Sequence, residues 1–316
     1  MSSGARNWLV VLTVALVLAL ASSGCGDSNE KPFPDVISLG EGEISPVILN
    51  SSLTLGQNRF SLGLLDEEEA PILDASLRLR FFDLNGTQPL LKNDIDARFV
   101  SMELFFIDEA ANGRKVVVGR SGAYAADIEF PSVGRWGVEI SGRVKDKDIR
   151  PIRFQFNVVE QSDEVMVGDP VPQSKQLTTA DVADIREMDT SFPPRPHMHD
   201  ITVAEALSLG RPAVIAFATP AYCESRHCGP IMEAVMDPLY AKYASQASFI
   251  HIEPYQLPEL RAGQGEMPVQ AALEWGIQTE PWVFVVDKQG QLTAKFEGIA
   301  STDEVEAELQ KALNSP

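Results

Sequence analysis

Residues 214–235 read VIAFATPAYCESRHCGPIMEAV. With Ala213 in front, the stretch opens on AVIAFA, an unbroken apolar run of the kind found in strands covered on both faces. A loop follows that carries Cys223 and Cys228 with four residues between them. Gly229-Pro230 comes next. Proline suits the first turn of a helix, where no backbone N–H is needed. The spacing predicts a helix over 230–243 with Ile231, Val235 and Leu239 on one face. Cys228 thus falls at a helix start, where unpaired N–H groups and the positive dipole end stabilise a thiolate. Thiolate, not thiol, attacks a disulfide. His227, directly before it, would depress a neighbouring thiol's pKa when protonated.

Outward from this segment the C-terminal third keeps a mixed rhythm. Thr202-x-x-Glu205 is a capping box opening a short helix that Gly210 ends. Residues 248–253 read as a second strand, 269–275 as helical, and 282–286 (WVFVV) as a third strand. Asp287–Gly290 (DKQG) makes a hairpin turn to a strand over 292–296. Ser301-x-x-Glu304 caps a last helix with Val305, Leu309 and Leu313 on its buried side.

Two separated segments in this order resemble the thioredoxin-like superfamily: VIAFATPAYCESRHCGPIMEAV, and WGIQTEPWVFVVDKQGQL over 275–292. The resemblance spans about 115 residues from near Ile201 to the end. It implies a C-terminal α/β thioredoxin-like fold over 197–316, with a redox-active cysteine pair. It also implies that Pro281 holds a cis peptide beside the sulfurs and presents backbone to a substrate strand. The DKQG hairpin is similar to that of the exported, membrane-anchored branch. Two departures stand out. The family spacing is Cys-x-x-Cys, whereas this chain has Cys-x4-Cys, which leaves two registers open. Either Cys223 attacks and Cys228 resolves, or Cys228-Gly229-Pro230 matches the family's Cys-Gly-Pro and Cys223 resolves from the loop. The strand AVIAFA lacks the family's buried acid; Glu280, beside Pro281, is either its substitute or a surface glutamate.

From 46 to 160 the apolar period is two. Leu77, Leu79 and Phe81 alternate with Arg78 and Arg80, and Val100, Met102, Leu104 and Phe106 repeat the pattern. Strict alternation marks half-buried strands, and Asn85-Gly86 and Asn112-Gly113 mark turns between them. The stretch GAYAADIEFPSVGRWGVEISG (122–142) resembles the late strands of immunoglobulin-like exported bacterial domains. The expectation is a multidomain chain: an Ig-like β-sandwich over 46–160, serving as spacer or binding module, a linker of limited order over 161–196, and the redox domain over 197–316.

The N-terminus reads as an address. Arg6 precedes an apolar run of about 14 residues, Trp8–Ala21, then Ser22, Ser23, Gly24 and Cys25. A bilayer-spanning helix needs roughly 20 residues, so residues 1–24 fit a signal peptide. ASSGC (21–25) resembles the bacterial lipobox, which implies that Cys25 carries lipid and that residues 25–45 tether the protein to the extracytoplasmic face of the membrane. Disulfides persist there. Lipidation of Cys25 leaves one pair out of three cysteines. A net charge of −19 argues against nucleic acid as a partner.

The function expected is a thiol–disulfide oxidoreductase exchanging disulfides with exported proteins and with a membrane redox partner, through Cys223, Cys228, His227 and Pro281, with no cofactor. Two alternatives stand beside it. One is a copper metallochaperone with Cys223, Cys228, His197 and His199 as ligands, since thiolate and imidazole suit copper. The other is a non-catalytic module whose pair is a structural bridge, worth roughly 2 kcal/mol for so small a loop in chain-entropy terms.

Overall fold

The computed structural model describes residues 33–34 and 44–315. The expected signal peptide, the Cys25 lipidation site and nearly all of the tether lie outside the described residues. Eight strands come first: β1 (Ser45–Ile48), β2 (Gly56–Leu65), β3 (Ala75–Asp83), β4 (Leu90–Asp96), β5 (Arg98–Asp108), β6 (Arg114–Phe130), β7 (Gly134–Val144) and β8 (Lys147–Val158). They form two antiparallel sheets in the orders β1-β2-β6-β5 and β4-β3-β7-β8. The sheets share a core in which Phe60 and Leu62 of β2 and Phe130 of β6 meet Phe81 of β3 and Trp136 of β7. Phe60 and Phe81 pack edge to face, with ring centroids 5.0 Å apart.

Later come α1 (Val203–Ser208), β9 (Ala213–Phe217), α2 (Cys228–Ile231), α3 (Asp237–Tyr243), β10 (Ser248–Ile252), α4 (Leu257–Arg261), α5 (Gln270–Trp275), β11 (Trp282–Val286), β12 (Leu292–Glu297) and α6 (Thr302–Asn314). The third sheet has the order β10-β9-β11-β12. Only β9 and β10 run parallel; β9–β11 and β11–β12 are antiparallel.

The expectation of an Ig-like sandwich domain plus a C-terminal α/β thioredoxin-like domain is overturned. Among the described residues the chain is mostly β, built on three four-stranded sheets, and every α-helix except α6 is four to seven residues long. The described residues form one compact unit. Val100 and Met102 of β5 and Ala123 of β6 join Ile231, Met232 and Val235 in a single apolar cluster. The outer face of the first sheet is therefore core rather than solvent-facing. Sequence alternation cannot reveal this, because it does not say what lies beyond the second face of a sheet.

Two local differences have clear causes. The helix expected over 230–243 is broken by a π turn, Met232–Met236. Pro238 has no N–H for the carbonyl of Ala234, and the Thr302 hydroxyl donates to that oxygen instead, at 2.6 Å. In β5 a bulge between Leu104 and Phe105 shifts the register. It buries Phe105 and Ile107 in place of the Leu104 and Phe106 that strict alternation selects. The expected linker is also packed: Val171, Met188, Asp189 and Thr190 within it are buried.

Candidate functional site

The strand β9 ends at Phe217, and the next residues turn away from the sheet. The Thr219 carbonyl accepts from the N–H groups of Tyr222 (3.1 Å) and Cys223 (2.9 Å). This tight turn delivers Cys223 to the start of α2. There it is bonded to Cys228, with Cα atoms 6.0 Å apart, within the usual range for a disulfide. Cys223 is 6% exposed and Cys228 is fully buried. The backbone N–H of Cys228 points to Cys223 Sγ at 3.3 Å. The Ser225 hydroxyl lies 3.2 Å from the same sulfur and 3.3 Å from the carbonyl of Glu280. One backbone donor, the Cys228 N–H, thus points at Cys223, while the Ser225 hydroxyl beside the sulfur gives its hydrogen to the Glu280 carbonyl.

Pro281 follows a cis peptide bond from Glu280. The Ser225 contact ties this loop to the cysteine loop. A carboxylate oxygen of Glu280 and both sulfurs lie within 4.8 Å of one another. Burial pushes the Glu280 carboxyl up to about 8, and Thr219 offsets only part of that effect. A carboxyl that titrates there can give or take a proton near neutral pH. His227 plays a different part from the one its position suggested. Burial lowers its pKa to about 4, so at neutral pH it brings no positive charge to either sulfur.

The first two sheets brace the loop rather than stand off from it. The Tyr222 hydroxyl donates to Glu109 at 2.7 Å, and Arg261 of α4 donates to the same carboxylate at 2.7 Å. Arg226 stacks over the Phe106 ring of β5 at 5.0 Å. A Cβ on Gly229 would lie 2.5 Å from the Phe105 ring, so glycine is what lets β5 approach the helix start.

The copper ligand set is not assembled. His197 packs on the Tyr240 ring with centroids 4.1 Å apart. His199 belongs to a separate buried group with Asp189 and His251, whose ligand atoms also lie within 4.8 Å of one another. Asp189 Oδ1 accepts from the N–H of Ser191 at 2.7 Å, and Oδ2 from that of Arg195 at 2.6 Å. Thr190, next in the chain, takes the Ala221 N–H of the cysteine loop on its hydroxyl at 3.1 Å. Its N–H and hydroxyl both donate to Glu253 at 2.7 Å.

Sequence reading missed Asp189, His251 and Glu253 as members of any site. Asp189 sits in a polar segment without periodicity, and His251 and Glu253 lie on and just past an apolar strand, where only the tertiary arrangement shows what they face.

No protein-family model matches the chain, and no curated protein matches it. Among solved structures, the soluble domain of PmoD from Methylocystis sp. ATCC 49242 (Rockwell) is similar at 13% identity and a TM-score of 0.20, over 38% of this chain and 94% of that one. A β-glucosidase from Kluyveromyces marxianus is similar at 13% identity and a TM-score of 0.19, over 39% of this chain and 15% of that one. At such scores neither likeness carries an argument about fold or function.

Proposed function

We propose that this chain is a thiol–disulfide exchange protein in which Cys223 attacks, Cys228 resolves and Glu280 carries the proton. The observation supporting this most directly is the closed Cys223–Cys228 bridge at a helix start with the Glu280 carboxyl within 4.8 Å of both sulfurs. The register with Cys223 as the attacking sulfur is favoured because Cys223 is the less buried of the two. It is also the one that receives the Cys228 N–H, and a donor of this kind stabilises a thiolate.

The steps run as ordinary exchange. A substrate thiolate attacks Cys223 Sγ, the Cys223–Cys228 bond breaks, and Cys228 leaves as a thiolate that takes the Glu280 proton. A second substrate thiolate then attacks the substrate sulfur of the mixed disulfide. The substrate disulfide forms and Cys223 leaves as a thiolate held by the Cys228 N–H. Two electrons pass from substrate dithiol to the pair, the substrate protons go to solvent, and Glu280 is reprotonated from solvent. Run in reverse, the same steps reduce a substrate disulfide.

The substrates in this reading are exported proteins, and a membrane redox partner resets the pair. What supports that setting is the N-terminal order of Arg6, apolar run and small residues before Cys25, which fits export and lipid attachment.

Glutathione disulfide tests the exchange step. Reduced Cys228→Ser is expected to form one mixed disulfide with glutathione at Cys223. Cys223→Ser is expected to react far more slowly, and the wild type to close its own bridge. A wild-type pair with a potential below about −300 mV and thiols unreactive in the folded chain would instead establish a structural bridge.

A further inference from the structure

We infer that Asp189, His199 and His251 form a binding site for a first-row divalent transition ion of the zinc class, separate from the disulfide and independent of the exchange reading. Asp189 is fixed from the loop that begins the packed 189–200 segment, and His251 from the centre of β10. His199 Nε2 stands 3.4 Å from Asp189 Oδ2, and His251 Nδ1 stands 3.6 Å from Asp189 Oδ1. All three side chains are essentially inaccessible to solvent, and neither of these imidazole nitrogens has a hydrogen-bond partner.

The tautomer of His251 is set by its other nitrogen. Nε2 lies 2.9 Å from the carbonyl of Ala218, and a carbonyl only accepts, so Nε2 carries the hydrogen and Nδ1 offers a lone pair. That lone pair faces a carboxylate that also only accepts. Two acceptors turned to each other in a buried place need a cation between them. A proton would draw an N–H···O⁻ pair to about 2.7–2.9 Å. The observed separations are wider. Donors held about 2.0–2.2 Å from one ion at tetrahedral angles lie roughly 3.3–3.6 Å apart, and the two observed separations fall in that range, one to each carboxylate oxygen.

The surroundings agree with an ion. A second imidazole N–H bonded to a backbone carbonyl is the usual outer support of a ligating histidine. Both Asp189 oxygens are already oriented by backbone N–H groups. His199 and His251 also lie against a cleft of about 520 Å³ shared with Met188, Glu253 and Tyr255. Two imidazoles and one carboxylate suit zinc, iron(II), cobalt(II) or copper(II). They do not suit calcium or magnesium, which take oxygen donors, or copper(I), which prefers sulfur.

The test uses the full chain with its disulfide closed, so that the sulfurs are not ligands, after dialysis against a chelator. Zinc is titrated calorimetrically and cobalt(II) by its visible d–d absorption. One ion per chain is expected. Binding is expected to fall at least tenfold in His199→Ala and in His251→Ala, and to stay unchanged in His197→Ala. The cobalt spectrum of the wild type needs no variant, so it stands even if a substitution in this buried group prevents folding. Absence of both the heat and the d–d band in the oxidised wild type would overturn the site. So would wild-type binding by a His199→Ala chain that circular dichroism shows to be folded.

Discussion

At the scale of single residues, the proposed exchange turns on Glu280. Its carboxyl lies within 4.8 Å of both sulfurs and titrates near 8 because burial disfavours its charge. When reduced Cys228 resolves a mixed disulfide, its proton must go to an ionised Glu280. That step should therefore quicken as pH rises and level off above about 8. Glu280→Gln should slow it about 10²-fold, the usual scale of a positioned acid or base, and leave only the dependence of thiol ionisation. Stopped-flow release of thiol from a Cys223 mixed disulfide measures this. The same shift has a consequence for stability. Between about 4.5 and 8 the folded chain keeps a proton on this carboxyl that the unfolded chain has lost, so stability falls as pH rises through that window. Denaturant titrations of Glu280→Gln should show a shallower fall across it. Cys223 and Cys228 were legible as candidates from local pattern, and Pro281 only from the resemblance its segment carries. The weight of Glu280 was not, because burial of a residue beside a proline depends on what packs over it.

At the scale of elements, two glycines show how backbone geometry holds the site. Gly276 ends α5 in the left-handed region with φ at 67°, and a Cβ there would collide with the carbonyl of Asp163. Gly276→Ala should cost about 1–3 kcal/mol from the backbone conformation alone, and more from the collision, read as a lower denaturation midpoint with an unchanged slope. Gly229 is needed for close approach rather than for its φ. Gly229→Ala should push the Phe105 ring away from α2 and loosen the brace on the cysteine loop. The expected readout is faster reduction of the bridge by dithiothreitol, with little change in the β-rich circular dichroism. The strand and helix periods were readable from sequence here. The bulge in β5 and the π turn before α3 were not, because each depends on a partner: β6 for the bulge and the Thr302 hydroxyl for the turn.

At the scale of the whole molecule, a charged cluster ties the first sheet to the last helix. Arg59 of β2 meets Glu304 of α6 at 2.9 Å with both side chains about nine-tenths buried, and Arg98 of β5 reaches the same carboxylate at 3.1 Å. Burial opposes ionisation of Glu304, but the hydrogen bonds and charge of Arg59 outweigh it and hold the carboxyl at about 2. A depressed carboxyl contributes stability that is complete above its unfolded value near 4.5 and is lost as pH falls toward 2. The amount is about 3 kcal/mol. Glu304→Gln keeps a residue able to serve in the capping box of α6 but leaves Arg59 buried without its counter-charge. It should cost about 3 kcal/mol, lower the melting temperature by roughly 5–10 °C, and remove most of the acid-dependent loss between about 4.5 and 2. Calorimetry from neutral to acid pH checks all three.

The sequence by itself determined what neighbours along the chain decide. The alternation of β3, the apolar runs of β9 and β11, the capping boxes at Thr202 and Ser301, and the pairing range of Cys223 and Cys228 all follow from short spacings and the fixed geometry of strand and helix. Only the tertiary structure decided what distant residues do to one another. It merged the expected sandwich, linker and redox domain into one compact unit of three sheets, and it broke the helix read over 230–243 with a π turn. It brought Asp189, His199 and His251 together and set Glu280 against the sulfurs. The physical reason is that burial, and with it the charge state and partners of a polar group, depends on which surfaces meet in space, and a local pattern does not encode that meeting.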